Sequence, residues 1–448
     1  MKFIAFVLSL LIFGLAQSNT MLKEGTVIRD AEIESILRSY IDPIFQQAKL
    51  NTKDLNLVLV VNSENNAAAT LNTTMILNTG FLLSTSNLNE IVGVIAHEVG
   101  HLEGRHVVRS IGAMENAQRV GLLGAAAGIA LGVLTQRLDL GAALAIGSSI
   151  SSIYGYLKYS RAEEAAADQA AVRYLNGLCW PADGLVFFFK KLLGQELLST
   201  NLQDPYIRSH PLTRDRMHAI ERQIQNSCQK PFPAQMVSRY HLMRIKLEAF
   251  LLPPAAVTKK YHTEETLNQY ARAIAFYRQG YLDKAIDLLN KVKADYPEPA
   301  YIDELMGQIY YENGKIDLSI QNYKRAISKM PHLFLFHFGL AQSLVAKNTP
   351  DTLKEAEKIL EKLKKEEPTN IGVWQFLSVV YGRQKQMGAM ALALAEKEIL
   401  LQNWQEADQQ AKRALHFLKP GSVLYLRAQD LKIETKRETN KSTQTRKF

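Results

Sequence analysis

A chain of 448 residues has room for two or three domains. With 47% hydrophobic and 22% charged residues it reads as globular, which excludes a disordered or fibrous protein. The net charge of +9 is spread without an aromatic-studded basic block. That argues against nucleic-acid binding and leaves acidic surfaces or anionic lipid as encounter partners.

Met1-Lys2 is a short positive start, followed by an apolar run from Phe3 to Ala16. Gly14, Ala16 and Ser18 supply the small residues a signal peptidase accepts. The run is short for a membrane span, so residues 1–18 read as a secretory signal peptide, with an uncleaved anchor as the alternative. No cysteine follows the run, which argues against a lipid anchor.

Residues 21–50 read as a helix, with Ile33, Ile36, Leu37, Tyr40, Ile44 and Phe45 at helical spacing. Leu55–Val61 is β-branched and apolar, hence a strand, and Asn65-Asn66-Ala67 makes a turn. A second extended run, Thr74–Thr79, ends at Gly80. It could pair with an extended peptide beside a cleft, or be an ordinary sheet edge.

Ile91–His106 reads IVGVIAHEVGHLEGRH. In a helix, His97 and His101 share a face one turn apart, with Glu98 completing HExxH. Two neutral imidazoles so placed suit zinc, and the glutamate can reach a water on the metal. The apolar residues before His97 imply a buried helix, where two imidazoles and a carboxylate need a partner. A lone histidine here would more often be a satisfied core residue.

Val120–Leu134 and Leu140–Ile150 are Gly/Ala-rich and separated by Gln136-Arg137-Leu138-Asp139. Neither half reaches the roughly 18 uninterrupted apolar residues of a membrane span. Buried core helices are the preferred reading, and a membrane-touching hairpin is the other. A strong helix follows in SRAEEAAAD, where Glu164 and Asp168 share a face. Glu164 can supply a third metal ligand, and Asp168 can fix the tautomer of a ligating histidine. Glu163 falls on the solvated side. Cys179 and Cys228 either form one disulfide or remain buried thiols.

HEVGHLEGRH followed by SRAEEAAAD resembles zinc metallopeptidases of the HtpX type, a gluzincin pattern. The resemblance implies one Zn²⁺ per chain on His97, His101 and Glu164, with Glu98 as general base and Asp168 behind the ligands. Ser209–Arg216 is similar to the His-Pro segment that closes the catalytic domain in that family. This makes His210 a catalytic candidate, either steadying the transition state or binding the metal as a latch.

From about Met236 amphipathic helices recur. Gly280 with Asp283-Lys284-Ala285-Ile286 repeats as Gly314 with Asp317-Leu318-Ser319-Ile320, a 34-residue period. Pro297 repeats as Pro331, Pro368 ends a third unit, and Asn403–Ala407 opens a fourth. The pattern resembles tetratricopeptide (TPR) repeats, whose concave face binds peptides or proteins. The polar, basic tail from 431 to 448 reads as disordered.

The expected fold is mainly α: an α+β zincin-type domain with a small sheet (19–232), then an all-α TPR solenoid (233–430). The layout resembles the BepA group of periplasmic metalloprotease–chaperones. That implies a periplasmic zinc endopeptidase acting in quality control of outer-membrane β-barrel proteins. Its implied partners, reached through the TPR array, are misfolded or assembling outer-membrane proteins and the barrel-assembly machinery, with peripheral membrane contact allowed. The rival reading is a TPR-led chaperone or adaptor whose zinc is structural or latched.

Overall fold

The computed structural model describes residues 23–107, 159–193 and 204–445. The signal-peptide reading and the Gly/Ala-rich stretch of 120–150 lie outside these. The described chain divides into two compact units, one of Lys23–Arg244 and the other holding most of the chain from Ile245 to Gln444.

The first unit begins with β1 (Val27–Ile28) and α1 (Ala31–Gln47), then β2 (Asn56–Val60), β3 (Ala67–Thr70) and β4 (Thr74–Asn78). Helices α2 (Thr79–Ser84), α3 (Leu88–Glu103), α4 (Arg161–Gly177), α5 (Asp183–Leu192), α6 (Pro205–Ser209) and α7 (Arg214–Ile224) follow. Asp30 caps α1 by accepting the Ile33 N–H, and the helix buries Ile36, Leu37, Tyr40, Ile44 and Phe45 as its periodicity predicts.

The sheet runs β1-β2-β4-β3. β4 is its interior: it pairs in parallel with β2, Asn56 to Val60 opposite Thr74 to Asn78, and antiparallel with β3. The expectation that 74–79 could accept a peptide is therefore corrected, because both of its edges are filled. β3 forms the outer edge, where the sequence reading placed a turn at Asn65–Ala67. Alanine has little strand preference, so Ala67-Ala68-Ala69 gave no strand signal. Tertiary pairing made the strand.

Cys179 and Cys228 are joined. The bond ties the end of α4 to the segment after α7, where the Lys230 N–H also donates to the Cys179 carbonyl (2.9 Å). The first part of α8 (Ala234–Leu251) belongs to this unit: the Tyr40 hydroxyl donates to the Met236 carbonyl (3.2 Å) and that of Tyr240 to the Thr85 carbonyl (3.0 Å). The first unit thus extends to Arg244, inside a helix and past the 232/233 boundary of the sequence reading.

The second unit is a solenoid of antiparallel helices: α9 (Pro254–Lys260), α10 (Thr266–Arg278), α11 (Leu282–Val292), α12 (Pro299–Glu312) and α13 (Ile316–Lys329). They continue as α14 (Phe334–Lys347), α15 (Pro350–Glu366), α16 (Ile371–Arg383), α17 (Met387–Leu400), α18 (Trp404–Phe417) and α19 (Val423–Thr445). Gly280 and Gly314 have φ of +80° and +72°, as their turns require, and Asn348 takes the same left-handed role at +57°. A representative core joins Leu340 and Leu344 of α14, Leu360 and Leu363 of α15, and Val373, Leu377 and Val380 of α16.

The expectation of disorder from 431 is corrected. α19 continues to Thr445, with Ala428 and Leu431 buried against Ala411 and Ala414. The helix buries a narrow stripe, Ala428, Leu431 and Thr435, too thin to register as apolar periodicity.

The disulfide closes a loop of 49 residues. Loop-closure entropy then gives a loss of about 2–4 kcal/mol for Cys179→Ala/Cys228→Ala. Urea titration of the first unit checks this, with the double variant matching reduced wild type.

Candidate metal centre

Asn87 caps α3 through the Glu90 N–H (3.1 Å), and the helix buries every residue from Glu90 to His101. A β-carbon at Gly100 would lie 2.9 Å from the Ala167 Cα, so the bare glycine lets α4 lie directly against α3. α4 opens with a capping box in which Glu163 accepts from the Ser160 N–H (2.9 Å). That turns Glu163 outward, as expected, and leaves Glu164 facing the histidines.

His97, His101, Glu164 and His210 are all buried, and one donor atom from each lies within 4.8 Å of the others. His97 Nε2 is 3.1 Å from His101 Nε2, 3.3 Å from His210 Nδ1 and 3.5 Å from Glu164 Oε2. Glu164 Oε1 is 3.4 Å from His101 Nε2 and 3.0 Å from His210 Nδ1. Metal–ligand bonds of about 2.0–2.1 Å in a tetrahedron require donor separations of roughly 3.3 Å. Three nitrogens and one carboxylate oxygen at these distances fit a zinc-sized divalent ion.

Surrounding groups hold the donors in place. His97 Nδ1 is 2.9 Å from Asp168 Oδ1, the role expected of Asp168. Asp168 in turn accepts two bonds from Arg216 of α7, 2.7 Å from Nε and 2.9 Å from Nη2, while Arg216 Nη1 lies 2.7 Å from Glu164 Oε2. The Tyr159 ring stacks on His101 at 3.8 Å, and the Tyr206 ring stacks on His210 at 4.4 Å.

Glu98 points to the same space. Its Oε2 accepts the Ala69 N–H of β3 (2.8 Å), while Oε1 lies 3.4 Å from the Tyr206 hydroxyl and 3.5 Å from His210 Nε2. The Tyr159 hydroxyl donates to the Ala69 carbonyl (3.3 Å). Both outward backbone groups of this edge residue are thus engaged by side chains of the centre.

Burial pushes the Glu98 carboxyl up, offset in part by His210, His97 and the Ala69 N–H. Burial opposes ionisation of Glu164 and Asp168 as well, but is outweighed. The imidazoles around Glu164, and Arg216 with His97 around Asp168, hold both below the carboxylate range. His97 goes the other way: against burial, Asp168 and Glu164 raise it to about 9. Burial lowers His101 well below the histidine range.

The structure gathers all six residues singled out from the sequence. It adds Arg216, Tyr159, Tyr206 and His106, which the sequence reading left without roles. Arg216 was within reach, since two buried carboxylates one turn apart demand a cation. The tyrosines carry no comparable signal.

Residues 28–224 match the model of Peptidase family M48. That match lies within the first unit. The chain is a metalloprotease whose first unit is similar to the M48 peptidases and is followed by TPR-type repeats. A "Beta-barrel assembly-enhancing protease" of Yersinia pestis is 23% identical over 385 residues, covering 81% of this chain and 76% of that protein. A Vibrio cholerae protein, given the same name provisionally, is 24% identical over 433 residues, covering 93% and 87%. The Escherichia coli (strain K12) protein of that name is 25% identical over 280 residues, covering 60% and 56%. The P58(IPK) TPR domain aligns with 78% of this chain and 99% of its own at 14% identity, with a TM-score of 0.20. The repeat assignment rests instead on the helices and left-handed turns themselves.

In the first unit, Arg216→Met leaves two buried carboxylates without their fixed counter-ion. A loss of about 3–5 kcal/mol in urea unfolding is expected, and Arg216→Lys restores only part because it cannot form the forked contact.

Proposed function

We propose that this chain is a zinc endopeptidase in which His97, His101 and Glu164 hold the ion, Glu98 is the general base and His210 is a displaceable fourth ligand. The observation that carries the proposal is the convergence of four buried donors beside a glutamate whose Oε1 faces them. A zinc ion bound there supplies a Lewis acid that lowers the pKa of a bound water to about 7 and polarises a carbonyl.

The remaining work falls to the protein. Glu98 is anchored through Oε2 to the Ala69 N–H, which leaves Oε1 to accept a proton from the attacking water. Burial raises its proton affinity, as a base working near neutral pH needs. The same oxygen then returns the proton to the nitrogen of the breaking amide. Asp168 keeps His97 in the tautomer that presents Nε2, and Arg216 holds Asp168 in turn. An extended substrate segment lies along the edge of β3 that no described strand pairs with, displacing the Tyr159 hydroxyl from Ala69.

His210 supports a latched resting state. Its Nδ1 occupies the fourth donor position, which an attacking water requires. It caps the five-residue helix α6, so a small change in backbone angle there withdraws the ring.

The names of the relatives support substrates among outer-membrane β-barrel proteins during assembly. An assembling barrel exposes unpaired strands, the form that a sheet edge captures. The TPR unit then binds such clients or the machinery that assembles them. Export by the N-terminal segment would place this work in the periplasm. No helix among the described residues is long and apolar enough to cross a membrane. A second reading, a TPR-led chaperone with a closed zinc site, is favoured by the four protein donors alone.

The test is metal content and cleavage of an unfolded β-barrel protein. Glu98→Gln should keep one zinc per chain and lose roughly 10²–10⁴-fold in rate; full cleavage by this variant would overturn the base assignment. His210→Ala should cleave faster than wild type if it is a latch. Zinc without cleavage in any variant would favour the chaperone.

A further inference from the structure

The proposed zinc site accounts for the surroundings of His97, Glu164 and Glu98, but leaves a fourth imidazole to explain. His106 is buried and its Nδ1 lies 2.8 Å from Nδ1 of His101. His101 Nε2 faces the metal donors, so its Nδ1 is the nitrogen left to carry hydrogen. His106 must then accept through Nδ1 and carry its own hydrogen on Nε2.

The local backbone is shaped to bring this about. α3 ends at Glu103, with the Gly104 N–H donating to the Gly100 carbonyl (2.9 Å). Gly104 has an ordinary helical φ of −67°, so the turn itself does not require glycine. Space does: a β-carbon at 104 would lie 2.2 Å from His106 Nε2. Arg105 then takes the left-handed conformation at φ +50°, unusual for a residue with a side chain. The reversal folds His106 back beneath the helix, and Val107 enters the core with Val58, Val60, Ala68 and Ile76.

We propose that His106 is a positioning residue which, by accepting the His101 Nδ1–H, fixes the tautomer and ring plane of that ligand, with Gly104 keeping the space it needs. The two ligating histidines of α3 are thus oriented by different chemistry. Asp168 holds His97 with a charge, and a neutral imidazole holds His101. The Tyr159 ring, stacked on the face of His101, prevents it from tilting while the hydrogen bond prevents it from rotating.

This inference rests on the zinc reading, and the experiment separates the two. Zinc dissociation constants are measured by chelator competition on purified wild type and on His106→Leu, His106→Asn and Gly104→Ala, with circular dichroism confirming the fold of each. In His106→Leu the acceptor is gone, and affinity should fall about 10–100-fold. His106→Asn places an amide oxygen near the former Nδ1 and should restore most of it. Gly104→Ala changes no polar group, yet should weaken zinc comparably by evicting the ring. His106→Leu binding within twofold of wild type would overturn the proposal, as would an Asn variant no better than Leu. If His106→Leu fails to fold, Gly104→Ala decides between the same outcomes, with wild-type affinity overturning it. Wild type without zinc would instead bring down the metal reading itself.

Discussion

The first unit is built around a charge imbalance that water cannot relieve. Glu98, Glu164 and Asp168 are all buried, and Arg216 is the fixed cation bonded among them. The carboxylates outnumber the guanidinium, an excess that a cation among the four donors would offset. Isolated buried charge is costly, so such a cluster persists only where its members are paired, hydrogen-bonded or metal-bound. The bidentate Arg216 contact and the Ala69 N–H supply part of that compensation, and the four convergent donors can supply the rest. Helix packing follows from the same need. Only where α3 presents Gly100 to the Ala167 backbone can α4 come near enough for Glu164 to reach both histidines.

How much of this could be read beforehand depended on distance along the chain. HExxH and ExxxD were legible because the i, i+4 relation puts both partners on one helix face whatever the rest of the protein does. The left-handed turns at Gly280 and Gly314 were legible for a similar reason, since the residue type states its backbone angle. His210 was reached through a resemblance rather than through spacing; it lies 46 residues beyond Glu164, yet the ring bonds the carboxylate. β3 was missed because alanine carries no strand preference. Its pairing comes from β4, and its position from the sheet as a whole.

His106 is the instructive intermediate case. It is close in sequence to His101, so the contact is local, but five residues do not bring two side chains together on a regular helix. The contact exists because the helix stops: a glycine removes a clash, and Arg105 reverses the chain. Helical periodicity describes what happens inside an element and says nothing of the turn that ends it. Functional residues placed by such turns are legible only when the terminating geometry is itself considered, here the unusual φ of Arg105.

The same groups that would perform hydrolysis also close the centre. The outward N–H and C=O of Ala69 are occupied by Glu98 and Tyr159, and His210 Nδ1 lies against the Glu164 carboxylate. These contacts share members: the Tyr159 N–H donates to the Ser209 carbonyl (3.2 Å), next to His210, and its ring packs on His101. A segment pairing with β3 must take the Ala69 carbonyl from Tyr159, loosening a residue that also holds the His210 loop. On the proposed function, substrate entry and latch release would then be one event rather than two. Each contact taken separately is modest, about 1 kcal/mol for a neutral hydrogen bond, but a substrate must replace several together. A long extended segment can do so because it brings a row of backbone groups, whereas a short or folded one cannot. On the proposed function, selection would therefore rest on whether a segment is extended and unpaired, more than on any single side chain.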